Sequence, residues 1–298
     1  HWDPRLPDYP GEFSGYQTHS HAYTDPFEPH DYRGKRVMVV GGGNSAMDVS
    51  SELAIRSITE RLFSSMRRGV WVLSKYANGQ PADKAAMPAW MPQKLGRKIA
   101  QRMIKKRLGR MEDYGLPKPD HEPLEGHPTV SEEFLARVGS GDILPKGAIE
   151  RLDGDGVIFA DGSREELDAI IWATGYKISF PFFSDPALTP GEDNAFPLFK
   201  RMVKPGYDNL FFLGLAQPLP TLVNFAEQQS KLVAAALTGD YALPGEQEMA
   251  RAIAEDEKLY LSHFYESKRH TIQVDFGTYV RDLMKEMARG SKHRRWML

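Results

Sequence analysis

The stretch Val37-Met38-Val39-Val40-Gly41-Gly42-Gly43-Asn44-Ser45-Ala46 decides the fold of this chain. Its four apolar residues predict a buried strand, and the G-x-G-x-x-A turn behind them predicts the start of a helix. The first glycine permits the tight bend, the second lets backbone N–H groups approach a pyrophosphate, and the small third residue allows close helix packing. The alternative is a glycine-rich turn without a ligand. We expect a dinucleotide at the positive end of the helix dipole, held by Gly41, Gly43, Asn44, Ser45 and Ala46.

The composition narrows the class of protein. The chain has 298 residues, is 41% apolar and carries a net charge of -2, so a large core is expected and nucleic-acid binding is not. It has no cysteine, which excludes disulfides, thiolate nucleophiles and a C-x-x-C redox pair. No stretch approaches 18 apolar residues and no signal pattern is present, so a cytoplasmic protein is expected.

The pattern around the glycine turn predicts a doubly wound α/β fold. Strands are predicted at 35–40, 61–65, 70–73, 149–152, 157–160, 169–173 and 210–213, with a hairpin turn at 153–156. Helices are predicted at 44–58, 221–237, 246–263 and 271–288. Residues 1–33 are proline-rich and indicate a connector, and 34–172 form the dinucleotide-binding domain. Prolines flank one helical block at 77–128, which we interpret as an inserted subdomain.

The end of the second predicted strand indicates which nucleotide binds. NAD sites usually place an acidic residue there for the ribose hydroxyls, but this chain has Ser64-Ser65-Met66-Arg67-Arg68. Guanidinium groups suit a 2′-phosphate, because arginine pairs with phosphate oxygens through two hydrogen bonds. We therefore expect NADP(H), with Arg67 as the favoured phosphate contact. Arg68 is a second candidate, with an ordinary surface charge as its alternative.

Several segments together resemble one family. Residues 13–23 match F-x-G-x-x-x-H-x-x-x-Y, the identifying sequence of flavin-containing monooxygenases, and the final Tyr23 favours that family over its Baeyer-Villiger relatives. Further segments similar to the same family follow in the same order, at 65–73, 113–116, 127–129, 159–163, 173–176 and 266–272. The resemblance covers nearly the whole chain.

This resemblance implies a two-dinucleotide-binding-domain flavoprotein with FAD and NADP as cofactors. NADPH reduces FAD, the reduced flavin captures O2 as a C4a-hydroperoxide, and a soft nitrogen or sulfur nucleophile of an amine or sulfide substrate takes one oxygen atom. The cofactors carry the chemistry, and the protein supplies position and water exclusion. The C-terminal part, 173–298, resembles the end of the FAD domain with its helices.

The resemblance also implies roles for individual residues. His19 would brace the connector between the two cofactors, or it is a structural histidine. Thr174 and Gly175 lie where such enzymes cross back to the FAD domain. Gln217 and Thr221 occupy a later turn against the flavin, for which a plain structural turn is the alternative. The histidines of the connector have no carboxylate or thiolate partner at metal-ligand spacing, so no metal site is expected.

One departure from the family is expected to matter. A second G-x-G-x-x-G for FAD, followed by a catalytic asparagine, is not found in these 298 residues. The chain thus resembles the C-terminal two thirds of such an enzyme, and the catalytic residue is unknown. The alternative function is an NADP-binding module without oxygenase chemistry. A disulfide reductase of similar architecture would lack its thiol pair.

The insertion carries a basic amphipathic helix. Residues 94–110 hold eight basic residues and no acidic one, with apolar residues at helical spacing. Such a helix can lie on an anionic membrane surface or pack against its own domain. Packing is favoured because of the surrounding prolines and Trp90, so membrane contact is expected to be weak and peripheral. A homo-oligomer is compatible with the sequence.

Overall fold

The computed structural model describes residues 3–56, 58–77, 79–82, 93–126, 128–191, 194–207, 209–219, 222–261 and 272–297. The chain divides into two compact units. The first comprises His1–Leu124 and Pro128–Ile178, and the second comprises Glu125–His127 and Ser179–Leu298.

The described residues contain sixteen strands and six α-helices. The strands are β1 (Asp3–Pro4), β2 (Tyr16–His19), β3 (Arg36–Val40), β4 (Arg61–Ser65), β5 (Val72–Leu73), β6 (Tyr76–Ala77), β7 (Gln80–Pro81), β8 (Thr129–Val130), β9 (Leu144–Lys146), β10 (Ile149–Asp153), β11 (Gly156–Phe159), β12 (Arg164–Glu166), β13 (Ala169–Trp172), β14 (Tyr176–Lys177), β15 (Gln217–Leu219) and β16 (Gln273–Asp275). The helices are α1 (Asn44–Leu53), α2 (Gln93–Leu108), α3 (Phe134–Gly139), α4 (Leu222–Leu237), α5 (Glu246–Leu261) and α6 (Phe276–Met297).

A five-stranded parallel sheet forms the centre of the first unit. Its strand order is β2-β13-β3-β4-β9, and every neighbouring pair runs parallel. The chain passes from β3 through α1 to β4, which is the crossover that the glycine turn predicts. The connector strand β2 lies at one edge and pairs with β13 in a register that sets His19 beside Trp172. The identifying motif is therefore part of the sheet.

Both faces of this sheet are covered, which explains the continuous apolar run of β3. Val37 and Val39 join the core formed with α1 and α3. Met38 and Val40 face the other way, into a core shared with the antiparallel sheet β10-β11-β12. All four side chains are buried, and burial of each stabilises the fold by about 1.5–3 kcal/mol.

Helix α1 is shorter than the sequence predicts. It ends at Leu53, whereas the apolar pattern predicts a helix to residue 58. Thr59 Oγ1 donates to the Leu53 carbonyl at 3.1 Å, and the Ile58 carbonyl accepts from the Gly34 N–H at 2.7 Å. In a longer helix the Leu53 carbonyl would accept an intrahelical bond, but here it accepts from Thr59, and the chain turns after Leu53.

Helix α2 of the insertion contacts its own unit along one side. Ile104 and Leu108 are half-buried, and the Gln101 side chain donates to the Pro123 carbonyl at 3.1 Å. The opposite side exposes Leu95 and Met103, whose relative exposures are 50% and 59%. The apolar residues of 94–110 are therefore divided between a packed side and a solvent side. Residue Trp90, on which the prediction of packing partly relied, lies outside the described residues.

Two predictions in the second unit are wrong. Residues 210–213 were expected to form a buried strand, but Phe211 makes only an isolated bridge to Val203, and Leu213 is 47% exposed. The Phe212 ring packs instead into a cluster of aromatic rings. The helix expected from 271 begins only at Phe276, because Gln273–Asp275 form β16 parallel to β15. Asp275 Oδ1 accepts from the Thr278 N–H at 2.8 Å and caps α6.

Candidate functional site

The glycine turn, residues 41–46, leaves a helix start free for an anion. Gly41 has a φ of +149°, and a Cβ there would lie 2.3 Å from the Ala173 carbonyl oxygen. Helix α1 begins after Gly43 without a side-chain cap, so the N–H groups of its first turn have no intrahelical partner. A Cβ on Gly43 would meet no atom within 4 Å. A diphosphate fits this open space at the positive end of the helix.

The side chain of Asn44 is already used within the protein. Its Oδ1 accepts a hydrogen bond from the Val130 N–H at 2.8 Å. Thr129 Oγ1 donates to the Gly42 carbonyl at 2.7 Å. Asn44 is thus able to meet a phosphate through its backbone N–H, as Ser45 and Ala46 are, and sequence reasoning alone gave no sign of the bonds from β8.

The two arginines after β4 differ in their surroundings. Both are exposed, but Arg68 donates from Nε to Oδ2 of Asp120 at 3.0 Å. Among the described residues, Arg67 makes no ion pair. Arg67 therefore has its guanidinium group available for a 2′-phosphate, while Arg68 is held by a carboxylate. This difference supports the order of preference that the sequence suggested.

His19 is a buried, neutral histidine. Its Nδ1 accepts from the His21 N–H at 3.0 Å, which places the ring proton on Nε2. Burial lowers the pKa of His19, and the backbone of Gly175 offsets this only in part. Within the described part of the chain, the buried Nε2 has no hydrogen-bond partner of good geometry. The Nε2–H group of His19 can therefore donate to a ligand. The His19 ring packs against the ring of Tyr176.

Thr174 and Gly175 fasten the end of β13 to the N-terminal segment. The Thr174 hydroxyl donates to the Arg5 carbonyl, and the Arg5 N–H donates to the Gly175 carbonyl at 2.9 Å. Gly175 has a φ of +86°, which a residue with a side chain adopts at a cost. The two residues thus fix the path of the chain where it leaves β13.

Four of the predicted site positions lie at the carboxyl ends of strands in the parallel sheet, on the same side of the sheet. His19 ends β2, Gly41 follows β3, Arg67 lies two residues after β4, and Thr174 lies two residues after β13. These strands are parallel neighbours, so their carboxyl ends meet at the same edge. Ligands of open α/β sheets bind at that edge.

Gln217 and Thr221 belong to the second unit. Gln217 opens β15 and its N–H donates to the Ile272 carbonyl at 2.8 Å. Thr221 lies outside the described residues, as does most of the family-like segment at 266–272. Upstream, Gly214 has a φ of +74°, and its N–H donates to Oε1 of Gln229 at 2.7 Å. Gln229 is fully buried and was not anticipated from the sequence.

The sequence pattern also did not predict a buried ionic cluster that lies in the second unit. Lys200 Nζ lies 2.9 Å from Asp256 Oδ1 and 2.8 Å from Asp282 Oδ2. Lys200 and Arg201 both have positive φ, at +47° and +56°, within a turn whose flanks, Phe199 and Val203, pair with each other. Arg201 is buried, yet its Nε and Nη2 have no hydrogen-bond partner among the described residues.

The described residues contain no cluster of three or more His, Cys, Asp or Glu side chains able to hold a metal ion. Within the same part of the chain, no helix is long and apolar enough to cross a membrane.

Comparisons with known proteins show which family the chain belongs to. The sequence profile of the flavin-binding monooxygenase-like family matches residues 1–294. Flavin-containing monooxygenase 5 of Rattus norvegicus is 33% identical over 302 residues, covering 97% of this chain and 54% of that protein. The N-oxide-forming dimethylaniline monooxygenase 2 of the same organism is 34% identical, with 96% and 55% covered. The chain thus spans about half the length of these curated relatives.

Solved structures confirm the predicted fold class. The S-allyl-L-cysteine S-oxygenase from Allium sativum matches with a TM-score of 0.59 and 22% identity, covering 96% of this chain and 52% of that one. An oxidized steroid monooxygenase bound to NADP matches with a TM-score of 0.64 and 14% identity, covering 97% and 72%. The fold is that of a two-dinucleotide-binding flavoprotein. The sequence match, the sheet edge and the glycine turn agree, and this chain belongs to the flavin-binding monooxygenase-like family.

Proposed function

We propose that this chain provides the NADP-binding part and the C-terminal FAD part of a monooxygenase. The enzyme would use NADPH, FAD and O2 to transfer one oxygen atom to a soft nitrogen or sulfur nucleophile of a small molecule. Membership of the family supports an NADPH-dependent oxidoreductase with both cofactors. The names of two similar proteins, an N-oxide-forming enzyme and an S-oxygenase, support the substrate class.

One observation carries the nucleotide part of this proposal. The start of α1 has no side-chain cap, and the position of a Gly43 Cβ is open. Arg67 lies after the neighbouring strand and is exposed. The pyrophosphate of NADP would accept hydrogen bonds from the N–H groups at the start of α1, and its 2′-phosphate would pair with the Arg67 guanidinium group. NAD lacks the 2′-phosphate that Arg67 would bind, so NADP(H) is favoured.

The other predicted site residues at these strand ends would position the nucleotide and take no part in the reaction. Gly41 keeps the turn close to the end of β13, since any side chain would strike the Ala173 carbonyl. Thr174 and Gly175 close the adjacent strand end. His19 would offer its spare Nε2–H beside them, as a donor to a cofactor or a bound water. Thr221, which remains a proposed cofactor contact, is carried by the family resemblance alone.

FAD, when bound, supplies the reaction with O2. The sequence holds one glycine turn of the dinucleotide type, which we assign to NADP. Gln217 would face the flavin from β15. The bond from Gly214 to Gln229 would hold the backbone ahead of that strand in place.

The test measures product as well as nucleotide consumption. The flavin-loaded protein that carries this chain is given NADPH under air, with and without a tertiary amine or a thioether. We expect substrate-stimulated NADPH oxidation with one N-oxide or S-oxide formed per NADPH consumed. NADP+ binding without any oxygenated product would instead establish the NADP-binding module.

We further propose weak peripheral contact between α2 and an anionic membrane surface. The solvent side of the helix carries Lys98, Arg102 and Lys106, all exposed, next to the exposed Leu95 and Met103. Basic residues beside exposed apolar ones suit the interface of anionic lipids. The packed side of α2 limits how deeply the helix could insert.

A further inference from the structure

The chain at and just after the end of the insertion, residues 117–126 and 128–131, contacts the glycine turn and the chain that follows Arg67. It pairs with the chain after β4, through a bridge between Gly69 and Pro119 and through the parallel strands β5 and β8. A Cβ on Gly69 would lie 2.2 Å from the Pro117 carbonyl oxygen, so the two backbones approach as closely as glycine allows. The Trp71 Nε1 donates to the His121 carbonyl at 2.8 Å.

Within this segment, Thr129 acts on the glycine turn. Thr129 is 5% exposed, and its Oγ1 donates to the Gly42 carbonyl at 2.7 Å. The next residue, Val130, donates from its N–H to Asn44 Oδ1 at 2.8 Å. Two consecutive residues of β8 therefore hold the two sides of Gly43. No other side-chain hydrogen bond to the backbone of residues 41–46 occurs in the described part of the chain.

The bond to Gly42 fixes the direction of a phosphate-binding group. The peptide between Gly42 and Gly43 is planar and trans, so its N–H points opposite to its carbonyl. Because Thr129 holds the carbonyl, the Gly43 N–H is directed away from β8. Within the described residues this N–H has no hydrogen-bond partner. A preorganised donor of this kind costs no reorganisation when the ligand binds.

We propose that Thr129 is a positioning residue of the NADP site, which holds the Gly42 carbonyl so that the Gly43 N–H faces the pyrophosphate. The inference rests on the proposed nucleotide function and adds to it a residue of β8, the strand that directly follows the insertion. The Thr129 hydroxyl acts through the backbone and does not touch the nucleotide.

The test compares Thr129→Val, which keeps the side-chain shape, with Thr129→Ser, which keeps the hydroxyl. Binding of NADP+, NAD+ and 2′-AMP to the purified chain is measured by calorimetry. Loss of one hydrogen bond worth about 0.5–1.5 kcal/mol should weaken NADP+ and NAD+ equally, roughly twofold to tenfold. Thr129→Ser should bind as the wild type does, and 2′-AMP, which has no pyrophosphate, should bind all variants alike.

A neighbouring variant controls for damage to the segment. Ser131→Ala removes an acceptor for the Phe134 N–H, a bond of 3.2 Å, and should lower thermal stability without changing NADP+ affinity. Unchanged NADP+ binding in Thr129→Val, or an equal loss for 2′-AMP, overturns the inference. A wild-type chain that binds neither dinucleotide overturns the proposed function as well, and the two failures are therefore distinguishable.

Discussion

Arg68 donates a hydrogen bond from its Nε to Oδ2 of Asp120, at 3.0 Å. The carboxylate thereby pairs with one of two adjacent exposed arginines, whereas the other, Arg67, makes no ion pair with any described residue. Neighbouring residues of the same type thus have different surroundings.

Arg67→Ala is expected to weaken NADPH binding and to leave NADH binding nearly unchanged. The variant removes charge-assisted hydrogen bonds to the 2′-phosphate, each worth about 1.5–3 kcal/mol, or roughly tenfold to a hundredfold in Kd. Fluorescence titration with both nucleotides measures the ratio. Arg68→Ala is the matched control and should change the ratio little. Equal losses for NADPH and NADH in Arg67→Ala would refute the assignment.

Gly43→Val should abolish binding of both nucleotides while the chain stays folded. A Cβ at this position meets no protein atom within 4 Å, so the added side chain projects into the space meant for the pyrophosphate. Gly41→Ala should behave in the opposite way, because its Cβ would strike the Ala173 carbonyl at 2.3 Å and lower stability. Calorimetric titration and thermal unfolding separate the two effects. Retained affinity in Gly43→Val would contradict the phosphate site.

Stability of the second unit should depend on pH through Asp256. Burial raises its pKa to about 6, although Lys200 opposes the shift. The folded state therefore binds this proton more tightly than the unfolded chain, whose aspartates titrate near about 3.9. The stabilisation is complete below pH ~4 and is lost as the pH rises through the folded pKa.

Urea unfolding between pH 4 and 7 measures this dependence. Asp256→Asn should flatten the fall in the free energy of unfolding between pH ~4 and ~6. Glu255→Gln, an exposed neighbour on the same helix, should leave it unchanged. An identical slope in the wild type and in Asp256→Asn would show that other groups control the titration.

The basic side of α2 should give weak, salt-sensitive binding to anionic vesicles. Exchange of Lys98 and Arg102 for Gln should reduce partitioning into phosphatidylserine vesicles, by about 1 kcal/mol for each charge removed. Lys35→Gln, an exposed cation elsewhere in the unit, is the control. Vesicle sedimentation at low and high salt provides the measurement. Binding that persists at 1 M salt, where the Debye length is about 3 Å, would mean that Leu95 and Met103 insert.

The sequence predicted those features that depend on local pattern. The turn at 41–46 could be predicted because a strand, three glycines and a helix stand next to each other. The contact from Thr129 could not, since it joins residues 87 positions apart. The apolar run at 210–213 resembles a strand, but periodicity cannot tell whether a partner strand is present. Burial of Lys200 likewise depends on carboxylates of two later helices.

The turn at Lys200 and Arg201 offers a place to engineer stability. Left-handed backbone costs an ordinary L-residue roughly 1–2 kcal/mol, and a buried guanidinium nitrogen without a partner costs about as much again. Arg201→Gly would relieve both costs, at the loss of the guanidinium contact with the Tyr260 ring, while keeping the backbone carbonyl to which Gln229 donates. Lys200 does not share this freedom, because its ammonium group pairs with the carboxyl groups of Asp256 and Asp282. Thermostabilising libraries of this chain should therefore vary residue 201 and keep residue 200.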